Sequence, residues 1–327
     1  MPELRKALIV GIDHYRSPNT LHGCVKDAIS MQEVLARHGD PNKGANFKAN
    51  LRTSSENSNI TKASLMRDIE DLFNSQVDVA LFYFSGHGYM DSRGGALVTQ
   101  DASRYSEGVT MHDLMTCVND SKIKDKLIIL DCCHSGSIGS DPLVKDASSI
   151  IPEGVMILTA CDQSELAVNQ KGKRSIFTSR LVDALNGEAA DILGHVRLGN
   201  VYALIDESLG AIGQRPIFKA NVQRFISLRD CIPTINLVTL ETAMSYFPDA
   251  DAEYQLDPEH EPTYEQCVKE KTKRFANLQA CRAARLVEPT NPETKHMYFA
   301  AMQSETCRLT TLGKHYWKGV KLDTLQG

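Results

Sequence analysis

Hydrophobic and polar positions follow two alternating regimes over the first ~230 residues. Short runs that are apolar nearly throughout, at 6–13, 77–84, 125–131 and 155–159, are separated by longer stretches in which apolar residues recur every three or four positions. Unbroken apolar runs of this length predict strands buried on both faces of a parallel sheet. A further strand pair is predicted at 216–220 and 223–228. Helical spacing is clearest at 25–37, where Ala28, Met31, Val34 and Leu35 share a face, and at 61–73, where Thr61 is a candidate N-cap ahead of Leu65, Ile69 and Leu72. The same spacing recurs at 110–118, 177–185 and 198–209. Strands alternating with amphipathic helices predict an α/β fold, a mostly parallel central sheet flanked by helices.

The pattern changes after Arg229. Residues 230–268 hold nine Asp or Glu and no Lys or Arg, and Pro233, Pro248, Pro258 and Pro262 interrupt them. A helical stretch follows at 264–286, and the tail at 309–320 carries Tyr316 and the only tryptophan, Trp317. A boundary is therefore expected near 230, dividing a domain at 1–230 from an accessory region at 231–327. That region is expected to be mainly helical, and its role is not legible.

Bulk composition narrows the classes without choosing among them. With 42% apolar and 24% charged residues the 327-residue chain is an ordinary globular one, and a net charge of −5 gives no general attraction to nucleic acid. No apolar run approaches the ~20 residues needed to span a bilayer. The first strand begins by Lys6 and ends in Gly11-Ile12-Asp13-His14, unlike a signal-peptide cleavage site. Nine cysteines, an odd number scattered along the chain, predict free thiols in a reducing compartment, hence a cytoplasmic protein.

Candidate chemistry sits at two of the predicted strand ends. One reads Leu81-Phe82-Tyr83-Phe84-Ser85-Gly86-His87-Gly88, the other Ile128-Ile129-Leu130-Asp131-Cys132-Cys133-His134-Ser135-Gly136. In open α/β sheets ligands bind at the carboxyl ends of strands. A thiol protease needs a thiolate nucleophile, an imidazole to protonate the leaving amine, and donors for the developing oxyanion. His87 can supply the imidazole, Cys133 the thiol, and the amides of Gly88 and Cys133 the oxyanion donors. Parity does not choose between Cys132 and Cys133, because both faces of that run are apolar.

These two segments resemble the His motif and the Asp-x-Cys-His-Ser-Gly motif of metacaspases and bacterial caspase-like proteases. Their separation, 133 − 87 = 46 residues, is close to the ~50 of caspases. The resemblance covers about residues 4–229. It implies the caspase/hemoglobinase fold, a Cys-His dyad of Cys133 and His87, and protein or peptide substrates, and it makes Cys133 the nucleophile rather than Cys132. Leu21-His22-Gly23-Cys24-Val25-Lys26-Asp27-Ala28 resembles the metacaspase Gly-Cys-x-x-Asp-Ala motif, whose Asp belongs to an acidic S1 pocket. Carried over, Asp27 and Asp131 would bind a P1 Arg or Lys, with Cys24 beside them and Asp162 of Ala160-Cys161-Asp162-Gln163 as a further wall. Asp131 could instead orient His87, and Asp27 could instead be an exposed carboxylate favoured by the helix dipole.

Gln279-Ala280-Cys281-Arg282-Ala283 nearly matches the caspase Cys signature, but it follows no apolar strand and reads as an ordinary helix with Cys281 inside it. His134, His14 and His22 read as structural or surface residues. Cys132, Cys133, His134, His87 and Cys161 are soft ligands without paired zinc spacings, so no metal or cofactor is expected. Calcium, which some metacaspases use through an acidic cluster, is left open because that cluster has no residue-by-residue match. Polar loops carrying Lys145, and Lys171, Lys173 and Arg174, are candidate processing sites for self-cleavage or for an upstream activating protease. The rival function is a catalytically silent scaffold of the same fold acting through its C-terminal region.

Overall fold

The computed structural model describes residues 3–15, 20–55, 59–91, 94–103, 106–133, 151–160, 174–210 and 216–324. The chain divides into two compact units, one of Met1–Ala190 with His195–Ile232, the other of Asp191–Gly194 with Pro233–Gly327.

In the first unit the apolar runs form strands β1 (Arg5–Gly11), β3 (Val79–Asp91), β6 (Asp125–Cys133) and β7 (Val155–Thr159). With β2 (Lys48–Thr53) they make a parallel array in the order β2-β1-β3-β6-β7, closed by the antiparallel strand β9 (Ile217–Asn221). β4 (Gly94–Ser103) and β5 (Ser106–Thr110) extend the sheet from the far end of β3. This is the mostly parallel α/β fold expected from the apolar pattern.

Burial on both faces follows strand alternation. Ile9, Leu81, Tyr83 and Ile129 pack on one face against α1 (Cys24–Ala36), α4 (Ile176–Asp183) and α5 (Leu198–Gly210). Leu8, Phe82, Phe84, Leu130 and Cys132 pack on the other against α2 (Lys62–Phe73) and α3 (Met111–Asp120). Thr61 caps α2 as its position predicted, its side chain accepting from Ser64 N while Ser64 Oγ accepts from Thr61 N.

Three expectations change. β3 and β6 do not stop at 84 and 131 but run on through His87 and Cys133, because their mutual pairing continues that far. The segments near 216–230 do not pair with each other: β9 joins β7, whereas β10 (Ser227–Asp230) pairs with β8 (His195–Arg197). The edge strands β2 and β5, and β4 between β3 and β5, lack the long unbroken apolar run by which the other strands were predicted.

In the second unit α6 (Leu237–Met244), α7 (Lys269–Ala283), α8 (Met297–Met302) and α9 (Thr311–Lys321) accompany a three-stranded antiparallel sheet of β11 (Glu253–Gln255), β13 (Thr306–Leu309) and β12 (Val287–Pro289). That sheet is added to the helical character read from sequence. Cys281 is wholly buried on α7, and Trp317 donates its indole N–H to Phe247 O at 2.9 Å. Part of the acidity of residues 230–268 is answered inside this unit, by Lys271 with Asp257 and Glu259 and by Lys314 with Asp251.

The contact that seats α1 on the sheet is unforgiving. A Cβ at Gly11 would lie 2.3 Å from Cys24 O and 2.7 Å from Ala28 Cβ. Gly11→Val must therefore push α1 off β1, and the cost of overpacking predicts a loss of about 1–3 kcal/mol or more in urea unfolding. An unchanged midpoint would show that α1 is not held there.

Candidate active site

The site is assembled where β1 and β6 end, where β3 leaves β6, and where α1 and α4 begin. β3 and β6 lie in parallel register with Gly86 opposite Cys132 and His87 opposite Cys133, so residues 46 apart in sequence become cross-strand partners. Cys132 is 3% exposed and belongs to the core layer of Phe82, Phe84 and Leu130, the core thiol that strand alternation allows at this position. Beyond His87 the strand turns to a different partner, and Gly88 pairs antiparallel with Leu97 of β4.

β1 delivers Asp13 and Tyr15 to the same edge. Ser54 Oγ accepts from Asp13 N at 2.8 Å and from His14 N at 3.2 Å, holding the backbone after β1. The Asp13 carboxylate accepts from Gly23 N at 3.0 Å and from Cys24 N at 2.8 Å. Those amides open α1, whose own N-cap, Gly23, has no side chain to satisfy them; φ of +142° there favours glycine. Tyr15 Oη accepts from His87 N at 2.9 Å. His14 is half-buried and His22 exposed.

The two carboxylates expected to form an acidic pocket do come together. Asp27, on the first turn of α1, is only 1% exposed, which removes the exposed-surface reading. Its Oδ2 accepts from Ser85 Oγ at 3.0 Å and its Oδ1 from Ser175 N at 2.9 Å. Asp131, the cross-strand partner of Ser85, accepts from Thr178 Oγ1 at 2.7 Å and from Ser175 Oγ. Since Thr178 gives its proton to Asp131, the Tyr83 hydroxyl must be the donor in its contact with Thr178. Ser175 thus bridges both carboxylates, one through its amide and one through its hydroxyl, while accepting from Thr178 N as the N-cap of α4.

Burial governs the electrostatics of this cluster. Desolvation and the neighbouring Asp131 charge raise the Asp27 carboxyl to about 8, against the pull of the Ser175 and Ser85 hydrogen bonds. Burial also raises Asp131. The half-buried Cys24 thiol is pushed far above its ordinary range by burial, with Asp13, Asp131 and Asp27 adding to the effect, so it stays protonated. A buried acid pair of this kind disfavours its own ionisation and would ionise readily around a cation.

Asp27, Asp131, Cys24, His87, Gly88 and Cys133, the candidates the sequence predicts, all lie on these elements at one edge of the sheet. Asp162, His134, Cys161, Lys145, Lys171 and Lys173 lie outside the described residues. Arg174 is exposed and leads directly into the engaged Ser175. Reading the sequence missed Asp13, Tyr15, Ser175 and Thr178. A serine ahead of an apolar helix is an N-cap signal that could have found Ser175; nothing local marks Tyr15. Among the described residues no cluster of His, Cys, Asp and Glu is arranged to hold a metal ion, and no helix is long and apolar enough to cross a membrane.

Comparison with known proteins gives consistent matches. A family model described as a caspase domain matches residues 4–224. Metacaspase-6 of Arabidopsis thaliana is 24% identical over 258 residues, covering 72% of this chain and 67% of that protein. Metacaspase-9 of the same plant is 27% identical over 168 residues, 47% of this chain and 49% of the relative. Metacaspase-1B of Aspergillus fumigatus is 27% identical over 188 residues, 52% and 44%. The chain thus spans about half the length, or less, of the latter two. Among solved structures, one titled structure of pro-sf-caspase-1 superposes with a TM-score of 0.47 at 13% identity, covering 69% of this chain and 96% of that one.

The raised Asp27 carboxyl has a consequence for stability. Because its folded value lies above the unfolded one, the stability it contributes is complete below about pH 4. That contribution is lost as pH rises toward 8, where folding must bury a charge. Asp27→Asn keeps an acceptor for Ser175 N without that charge. Its Tm is expected to draw ahead of the wild type's by several degrees between pH 5 and pH 9, at about 2–4 °C per kcal/mol. A difference that does not grow with pH would mean that Asp27 is ionised in the folded protein throughout.

Proposed function

The chain belongs to the caspase-domain family, and on that premise we propose that it is a cysteine endopeptidase cutting after Arg or Lys, with Cys133 as nucleophile and His87 as its acid and base. The observation that carries this reading is the β3–β6 register, which makes His87 and Cys133 cross-strand partners at an edge that also gathers Asp27 and Asp131. Cys133 gives its thiol proton to His87 and its sulfur attacks the scissile carbonyl, while the amides of Gly88 and Cys133 hold the oxyanion. His87 protonates the leaving amine as the C–N bond breaks, leaving a thioester. It then takes a proton from water, and hydrolysis of the thioester restores the thiol.

The acid pair supports the specificity. A guanidinium or ammonium entering between Asp27 and Asp131 would stabilise both in the ionised form, and the serine and threonine already bound leave acceptor capacity on the carboxylates. A P1 Asp would meet like charge. Cleavage after Lys145, Lys171 or Lys173 would be self-processing by the same preference; the bond after Arg174 is followed at once by the N-cap of α4. The free thiols of Cys24, Cys117, Cys231, Cys267, Cys281 and Cys307 fit a reducing, cytoplasmic setting.

Cys133→Ala is expected to abolish cleavage of a mixed peptide library while keeping the wild-type Tm; residual turnover would remove Cys133 from its role. In a P1 panel, Arg and Lys substrates should be cut and Asp substrates not. Asp27→Asn should lower kcat/KM for P1 Arg about 10- to 100-fold, as expected for a lost charge-assisted hydrogen bond. Since Asp27 holds a proton up to about pH 8, binding a cationic P1 must release it. KM for P1 Arg should therefore fall as pH rises from 6 to 8, by up to about tenfold per unit, and the dependence should flatten in Asp27→Asn. A pH-independent KM would show that the pair is already ionised before substrate arrives.

A further inference from the structure

We infer that Tyr15 is the positioning residue for His87, fixing the backbone where β3 leaves β6 so that the imidazole is presented toward the position of Cys133. The inference rests on the reading of His87 as the catalytic imidazole and adds what holds it in place.

Three observations converge on the contact. The phenol oxygen accepts the backbone N–H of His87 at 2.9 Å. The two rings lie against each other, centroids 4.8 Å apart and inclined by 58°. At the preceding residue there is no room for a side chain, because a Cβ on Gly86 would come within 2.5 Å of Tyr15 Oη and 2.9 Å of the Phe84 ring. Tyr15 comes from the segment after β1, 72 residues away in sequence, and one side chain reaches both the backbone and the ring of His87. The glycine before the histidine is thereby explained by the phenol packed over it, beyond any need for substrate approach.

His87 is the point at which β3 leaves its parallel partner β6, pairing from Gly88 onward with antiparallel β4. At that change of partner the Tyr15 hydroxyl takes up the backbone donor of the junction residue. The phenol is suited to hold a proton throughout the working range, since burial raises it well above its ordinary value. It therefore remains a neutral acceptor beside an imidazole that changes charge during turnover, and its aromatic face is compatible with the imidazolium as well as the imidazole.

The test is Tyr15→Phe, which keeps the ring and removes the acceptor, measured beside Tyr15→Leu, which removes both. Tyr15→Phe is expected to lower kcat for a P1-Arg peptide about tenfold or more, within the ~100-fold that a 1 Å misplacement can cost. KM should stay within about twofold, and the acidic limb of the pH–kcat/KM profile should shift. Tyr15→Leu should lose more activity and shift that limb further. Wild-type kcat and pH profile in Tyr15→Phe would overturn the inference, and so would a loss in both variants that merely follows a lowered Tm with an unmoved pH limb. His87→Ala is the control for the underlying reading. If it retains activity, the protease assignment of His87 fails; if it is inactive while Tyr15→Phe behaves as wild type, only the positioning role fails.

Discussion

The parallel pairing of β3 with β6, carried without a break from Val79 opposite Asp125 to His87 opposite Cys133, is the constraint on which the site depends. Neighbouring strands lie about 4.8 Å apart, so this register alone sets a histidine and a cysteine from distant parts of the chain side by side. It also decides what lies beneath them. Because alternate residues take opposite faces, Cys132 falls into the layer of Phe82 and Leu130, whereas Ser85 and Asp131 meet the helices on the other side. A slip of one residue would exchange those faces, burying a carboxylate among phenylalanines.

The second organising feature is the convergence of helix N-termini on carboxylates at this edge. Asp13 satisfies the first amides of α1, and Ser175 caps α4 while holding Asp27 and Asp131 together. These are the donors that make two buried acids tolerable, though not comfortable, since burial still keeps their protons on above the ordinary carboxylate range. On the proposed reading, an acid pair that resists ionisation when empty would accept it around a cationic P1 side chain, so that its unfavourable burial would serve selectivity.

The second unit answers its own conspicuous chemistry. The acidic stretch that stands out in composition meets Lys271 and Lys314 of its own helices, so its charge is in part structural. Cys281, within the sequence that nearly copies a caspase nucleophile signature, is sealed in the core of the second unit and its thiol is pushed up to about 12 by burial. Resemblance over five residues meant little without a strand beneath it.

By itself the sequence determined the layered α/β architecture of the first unit, since strands covered on both faces must be apolar throughout and helices on one stripe only. It determined the order and spacing of the histidine and cysteine segments, and Thr61 as a helix cap, because such signals are local. Only the tertiary structure decided where β3 and β6 end, because that depends on which partner remains to pair with. The same holds for β2, which is too lightly covered to carry an apolar signature, and for the separation of β9 from β10. It alone brought Tyr15 to His87 and Ser175 to Asp27 and Asp131: a hydrogen bond between residues 72 or 148 positions apart leaves no mark on the residues nearby in sequence. Periodicity records which face a residue buries, whereas its partner across the fold is fixed only when the sheet closes its register.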